Sequence, residues 1–128
     1  MTAFVGDIEK LTEMNDHFRE VLFTAKHTQL VVMCLKGGDE IGREVHDDVD
    51  QFFRIEEGEA EFIFNSNERH LVKAGSAVIV PAGTVHNVIN LSKTEKLKLY
   101  TLYSPPNHPD STIHATKADA EAAEEHHK

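Results

Sequence analysis

The sequence predicts an all-β domain: a small double-sheet barrel with a short helix at each end. Three observations predict it. From Arg19 to Tyr103 the chain is a series of short β-branched and aromatic runs separated by Gly, Pro and Asn turn signals. The run after Gln51 alternates, with Phe53 and Ile55 on one side and Phe52 and Arg54 on the other, the period of a strand with one buried face. A length of 128 residues without an internal repeat fits a single domain large enough for a real core. The expected division is an N-terminal arm at 1–17, the barrel at 18–103, and a proline-rich arm with a short helix at 104–128.

Asp7 to Asn15 reads as a short helix or turn with Asp7 as its N-cap. His17 reads as a surface residue. REVLFT, Arg19 to Thr24, reads as a strand, and Lys26 and His27 mark the turn after it. Leu30 to Leu35 is continuously apolar and reads as a strand buried on both faces, with Cys34 a small buried apolar residue. Gly37-Gly38 is a turn signal. Lys36 and Arg43 read as solvated cations. Glu44 and His46 stand two apart, so in an extended chain they share a face; a carboxylate and an imidazole at one point suggest a metal. Asp47 and Asp48 read as a solvated loop.

If Gln51 faces inward, so do Phe53 and Ile55. The opposite choice would bury Arg54 and Glu56 instead, which is costly. Gln51 therefore points in, and Phe52 points out. Glu59 to Phe64 reads as the next strand, Asn65 to Asn67 as a hairpin turn, and Arg69 to Val72 as the returning strand with His70 exposed. Ala77 to Val80 is a short buried strand. The Pro81-Ala82-Gly83 turn then delivers His86 to the start of a strand that puts His86, Val88 and Asn90 on one face and Ile89 on the other. Leu97 to Tyr103 closes the barrel. Ser104 to Pro109 reads as an extended arm across the surface. It carries His108 and His114, which read first as exposed histidines of a covering arm, the alternative being that either reaches the barrel mouth as a lid residue. Thr116 caps an Ala/Glu-rich helix reaching Glu125, and Glu124 to Lys128, with His126 and His127, reads as a frayed tail.

The net charge of −9 argues against nucleic acid, whose phosphates need a basic surface. No apolar run approaches the roughly 20 residues of a membrane helix. MTAFVGDIEK lacks the basic and apolar regions of a secretory signal, and a single cysteine excludes an internal disulfide. The expectation is a cytoplasmic protein.

Two stretches resemble the two signature motifs of the cupin family. Gly38, Glu44, His46, Gln51 and Gly58 match the spacing of the first, G-x5-H-x-H-x4-E-x6-G, with Glu44 at the first His position and Gln51 at the Glu position. Gly75, Pro81, Gly83, His86 and Asn90 match the second, G-x5-P-x-G-x2-H-x3-N, throughout. From about Phe18 to Ala118 the chain also resembles small single-domain cupins labelled mannose-6-phosphate isomerase-like. The resemblance implies a double-stranded β-helix, or jelly-roll barrel, and a metal held by Glu44, His46, Gln51 and His86. Some cupins place the carboxylate one position earlier, which would make Asp50 the ligand; the alternation along this strand favours Gln51.

That set offers one carboxylate oxygen, one amide oxygen and two imidazole nitrogens. It lacks a thiolate, so Fe, Mn, Ni, Co and Zn as divalent ions all suit it. Three functions compete. One is a metal-dependent isomerase, lyase or cyclase acting on a small carbonyl- or sugar-like molecule. Another is a dioxygenase, and the third is a small-molecule binding or sensor module without catalysis. The resemblance also implies a homodimer, and outward-facing Phe52 and Ile89 supply a physical reason for it.

Overall fold

The computed structural model describes residues 2–126, so the tail expected at His127 and Lys128 lies outside the described residues. Asp7 caps helix α1 (Ile8–Met14), its carboxylate accepting the Lys10 amide at 3.1 Å. The strands follow as β1 (Arg19–Thr24), β2 (Gln29–Leu35), β3 (Asp50–Glu57), β4 (Glu59–Phe64), β5 (Glu68–Lys73), β6 (Ala77–Val80), β7 (His86–Asn90) and β8 (Leu97–Ser104). Each expected strand is present, with ends shifted by a residue or so, but β6, expected to be buried, exposes Ala77 and Ile79. A further strand, β9 (Ile113–His114), pairs antiparallel with β1, and helix α2 (Lys117–His126) follows, with the Thr116 hydroxyl accepting the Asp119 amide at 3.1 Å. The C-terminal arm thus joins the sheet, and α2 continues past Glu124, the expected start of fraying, as far as His126.

The strands form two sheets, one ordered β6-β3-β8-β2-β1-β9 and the other β5-β4-β7, with every pair antiparallel. Along β3, Gln51, Phe53 and Ile55 are buried, while Phe52 and Arg54 are half-exposed. Arg54 pairs with Glu56 on the outer face at 2.9 Å, so the charges the alternation kept out of the core hold each other in place. The inner faces of the two sheets meet in a core that includes Val31, Met33, Ile55, Leu99, Phe62 and Val88. Phe53 of one sheet meets Phe62 of the other edge-on, with ring centroids 5.0 Å apart. Chain passage between the sheets happens at Gly58, where φ is +95° and an added Cβ would lie 2.9 Å from the Lys96 carbonyl oxygen. Only glycine fits there.

β2 is buried on both faces, and α1 packs against the larger sheet beside β8, β3 and β2. Part of that sheet's outer face stays open. Phe52 lies 6.1 Å from Tyr100, both half-buried, and Ile79 beside them is 68% exposed. Among the described residues no helix is long and apolar enough to cross a membrane.

Candidate functional site

Glu44 and His86 are directly opposite each other. Each donates its amide to the other's carbonyl at 2.8 Å, a hydrogen-bonded antiparallel pair. Such pairs hold Cα atoms about 5.5 Å apart with side chains on one face. His46 lies two residues beyond Glu44 on that face. Its carbonyl accepts the Gly83 amide at 2.9 Å, tying the segment to the turn that delivers His86, and Gly83 itself has φ +83°. Asp50, exposed, accepts the Ala82 amide at 2.8 Å and so braces the same turn from outside.

These backbone links converge a set of acceptors. Atoms from Glu44, His46 and His86 lie within 4.8 Å of one another, and His46 Nε2 is 4.0 Å from Glu44 Oε1. His86 donates Nδ1–H to the Thr84 carbonyl at 3.0 Å, which leaves Nε2 as a lone-pair donor. The Nε2 atoms of His46 and His86 are both buried with no hydrogen-bond partner among the described residues. Gln51, 2% exposed, donates Nε2–H to Thr101 Oγ1 at 3.0 Å, and its Oε1 is likewise buried without a partner. Buried acceptors left unpaired cost about 1–3 kcal/mol each. A cation bonded at about 2.1 Å spans ligand atoms up to about 4.2 Å apart, and the 4.0 Å between His46 Nε2 and Glu44 Oε1 lies inside that span.

Burial raises the Glu44 carboxyl to about 6, against the opposing charge of Arg19. Burial also holds both histidines below their usual value; for His46 the neighbouring His86 and Arg19 add to it. Near neutral pH the imidazoles are therefore uncharged, and His46 beside Glu44 is a second donor rather than half of an ion pair.

Glu44 and His46 open into a cavity of about 550 Å³, whose walls include Arg19, Arg43 and His108 and, from α2, Lys117, Ala120, Glu121 and Glu124. Two expectations are corrected here. His108 is not an exposed arm residue: its ring stands edge-on to Tyr103 at 5.0 Å, Nε2 is buried without a partner, and burial pushes it down to about 3. His114 is half-buried in β9, 3.4 Å from Arg19 Nη1.

The cause is Gln29, a buried amide in β2. Its Oε1 accepts the amides of Asn107 and His108 at 3.1 and 3.0 Å, and its Nε2 donates to the His108 carbonyl at 2.8 Å and to Thr24 Oγ1 at 2.9 Å. This clamp turns the arm inward. Replacing Gln29 with methionine keeps the volume, removes four hydrogen bonds and strands two amides. A loss of about 2–4 kcal/mol is expected in urea unfolding, with faster hydrogen exchange at the Asn107 and His108 amides.

Arg19 is the other residue that sequence reading missed. The signal was present: Arg19 and Val21 share a strand face, and Val21 is in the core. Other marked residues lie elsewhere. Asn90 points inward but is structural, its amide donating to the carbonyls of Leu35, Lys36 and Glu95 at 3.2, 3.1 and 2.8 Å. His17 pairs with Glu20 and His70 with Glu68, both at 2.7–2.8 Å and on the outside.

A family model described as Cupin domain matches residues 31–103, which contain Glu44, His46, Gln51 and His86. The protein YrkC of Bacillus subtilis (strain 168), described as uncharacterized, is 50% identical over 127 residues, covering 95% of this chain and 68% of its own length. The uncharacterized protein L612 of Acanthamoeba polyphaga mimivirus is 42% identical over 113 residues, covering 87% of this chain and 71% of its own. The crystal structure of BH2720 from Bacillus halodurans superposes with a TM-score of 0.90 at 42% identity, over 93% of both chains. KdgF from Halomonas sp. superposes at 0.63 with 20% identity over 70% of this chain and 80% of its own, a likeness of fold alone.

Proposed function

The chain belongs to the cupin family, and from that premise we propose that Glu44, His46, Gln51 and His86 hold one divalent transition metal ion. We further propose that the site isomerises, eliminates from or cyclises a small carbonyl- or sugar-like molecule. The observation that carries this reading is the convergence of the buried, partnerless Nε2 atoms of His46 and His86 with the Glu44 carboxylate; Gln51 Oε1 is buried and partnerless as well.

An ion bound there supplies Lewis acidity toward a carbonyl or hydroxyl oxygen. The chain's own residues do the rest. His46 and His86 are neutral donors held ready by burial, and Thr101 orients the Gln51 amide. Glu44, at about 6, takes up or returns a proton near neutral pH whenever its carboxylate is not engaged. Asn107 and His108 of the arm and Lys117, Ala120, Glu121 and Glu124 of α2 line the cavity above Glu44 and His46. Fe, Mn, Ni, Co and Zn all suit the donors.

Metal analysis of the native protein is expected to find about one ion per chain after reloading. Turnover of hydroxy-carbonyl compounds is expected to need that ion and to proceed equally with and without O₂. One carboxylate with two imidazoles favours a second reading, a dioxygenase; turnover that stops under nitrogen selects it. Ligand binding with no turnover under any condition would leave a binding or sensor module.

Protons compete with the ion for Glu44 and the imidazoles. Glu44 titrates at about 6, and the histidines titrate below 6.5, so the metal-binding form is fully populated above that range. Affinity is expected to be level from pH 8 to about 6.5 and then to fall roughly tenfold per unit for each proton taken up. Metal titrations that stay flat between roughly pH 7 and 5 would argue against these ligands.

The homodimer belongs to the same proposal. The open outer face at Phe52, Tyr100 and Ile79 supports it, and light scattering at micromolar concentration tests it: a monomer mass overturns it.

A further inference from the structure

Arg19 is a buried cation with no ion-paired carboxylate among the described residues. It is 5% exposed, and its Nε is buried with no acceptor among the described residues. Nη1 reaches His114 Nδ1 only at 3.4 Å, the guanidinium carbon lies 5.3 Å from the Phe18 ring centroid, and the Tyr103 hydroxyl is beside it. No described carboxylate forms an ion pair with it. The Glu44 carboxylate acts on it only from beyond ion-pair distance, and keeping a guanidinium out of water without a direct ion-pair partner is costly, so the fold retains an unmet demand for an anion here.

The demand faces the cavity. Arg19 shares its wall with Glu44 and His46, and its charge opposes protonation of Glu44, His46, His108 and His114 alike. The other charged residues of the cavity, Arg43, Lys117, Glu121 and Glu124, are exposed or half-exposed, carry both signs and are screened by solvent. With Nη1 turned toward His114, the Nε edge remains, and that edge forms a planar fork. A carboxylate is planar and matches such a fork with two parallel hydrogen bonds. A phosphate dianion asks for more charge than one guanidinium supplies.

We propose that Arg19 is the anion-binding residue of this cavity and that the molecule taken there is a small organic carboxylate bearing a neighbouring hydroxyl or carbonyl oxygen. The carboxylate lies on the Nε edge of Arg19, and the neighbouring oxygen points to the Glu44, His46 and His86 cluster. That second contact rests on the metal-centre reading; the Arg19 contact does not. His108 Nε2, buried and unpartnered in the same cavity, is a neutral partner for a hydroxyl of the same molecule.

Calorimetric titration of the full chain, metal-free and metal-loaded, with glycolate, pyruvate, glycolamide and inorganic phosphate tests this. Glycolate and pyruvate are expected to bind, with glycolamide at least about tenfold weaker, because it lacks the charge. Arg19→Gln is expected to weaken glycolate by about tenfold or more and leave metal content unchanged; Arg19→Lys, which keeps the charge and loses the fork, falls between. Equal affinity for glycolate and glycolamide overturns the proposal, as does no carboxylate binding at millimolar concentration. Unchanged glycolate affinity in Arg19→Gln, or tighter binding of phosphate than of either carboxylate, also overturns it. Should Arg19→Gln fail to fold, the comparison of glycolate with glycolamide on the native chain decides alone. Glycolate binding that depends on Arg19 in a protein that takes up no metal would sink the metal-centre reading and spare this one. Tight metal with no preference for carboxylates would do the reverse.

Discussion

The double variant His46→Ala, His86→Ala is expected to lose its metal outright, from about one ion per chain to background. Each histidine offers a buried, partnerless Nε2 to the same point, and Glu44 with a neutral amide oxygen makes a poor site by itself. Outer partners of metal ligands are already worth about 10–100-fold in affinity, and direct ligands exceed that. His86 also sits 6.2 Å from the Phe53 ring, so its removal leaves a gap in the core. The single variant His46→Ala, at a half-exposed position, serves as the control for folding and is expected to lose most of the ion as well. Stoichiometric metal in a folded double variant would refute the ligand assignment.

Phe53→Ala carries the largest expected loss of stability, about 3–5 kcal/mol, a substantial part of the 5–15 kcal/mol typical of a domain. Phe53 is buried, packs edge-on against Phe62 of the other sheet at 5.0 Å, and backs His86. Its neighbour Phe52 has the same side chain but faces out against Tyr100, where truncation is expected to cost about 1 kcal/mol. Guanidinium unfolding of both variants, free of metal, makes the comparison. The reverse ranking would mean that β3 presents its other face to the core, and Gln51 would then point away from His46 and His86.

That pair shows what kind of information a strand carries in its own sequence. Which of Gln51 and Asp50 faces inward follows from which neighbours can stand being buried, and Phe53, Ile55, Arg54 and Glu56 all lie within one strand. Gly58 and the Pro81–Gly83 turn are legible for the same reason: a positive φ or a proline constrains its own residue first. Whether His108 reaches the site stays open in the sequence because nothing near it says that the arm turns inward. The instruction lies in the amide of Gln29, on a strand remote in sequence. Arg19 announced its inward face through Val21, but not its lack of a partner, since that depends on every carboxylate the fold places elsewhere.

By itself, the sequence determined the all-β class, the strand order along the chain, the inward faces of β3 and β7, and the pairing of Glu44 with His46 on one side. These follow from periodicities of two residues and from turn residues, which act over a few bonds. Only the tertiary structure decided that His86 stands opposite Glu44, that α2 helps to wall the cavity, that His108 enters it, and that Arg19 is buried there without an ion-pair partner among the described residues. Those are relations between elements distant in sequence. Sheet closure and side-chain burial set them jointly, so no local pattern encodes them.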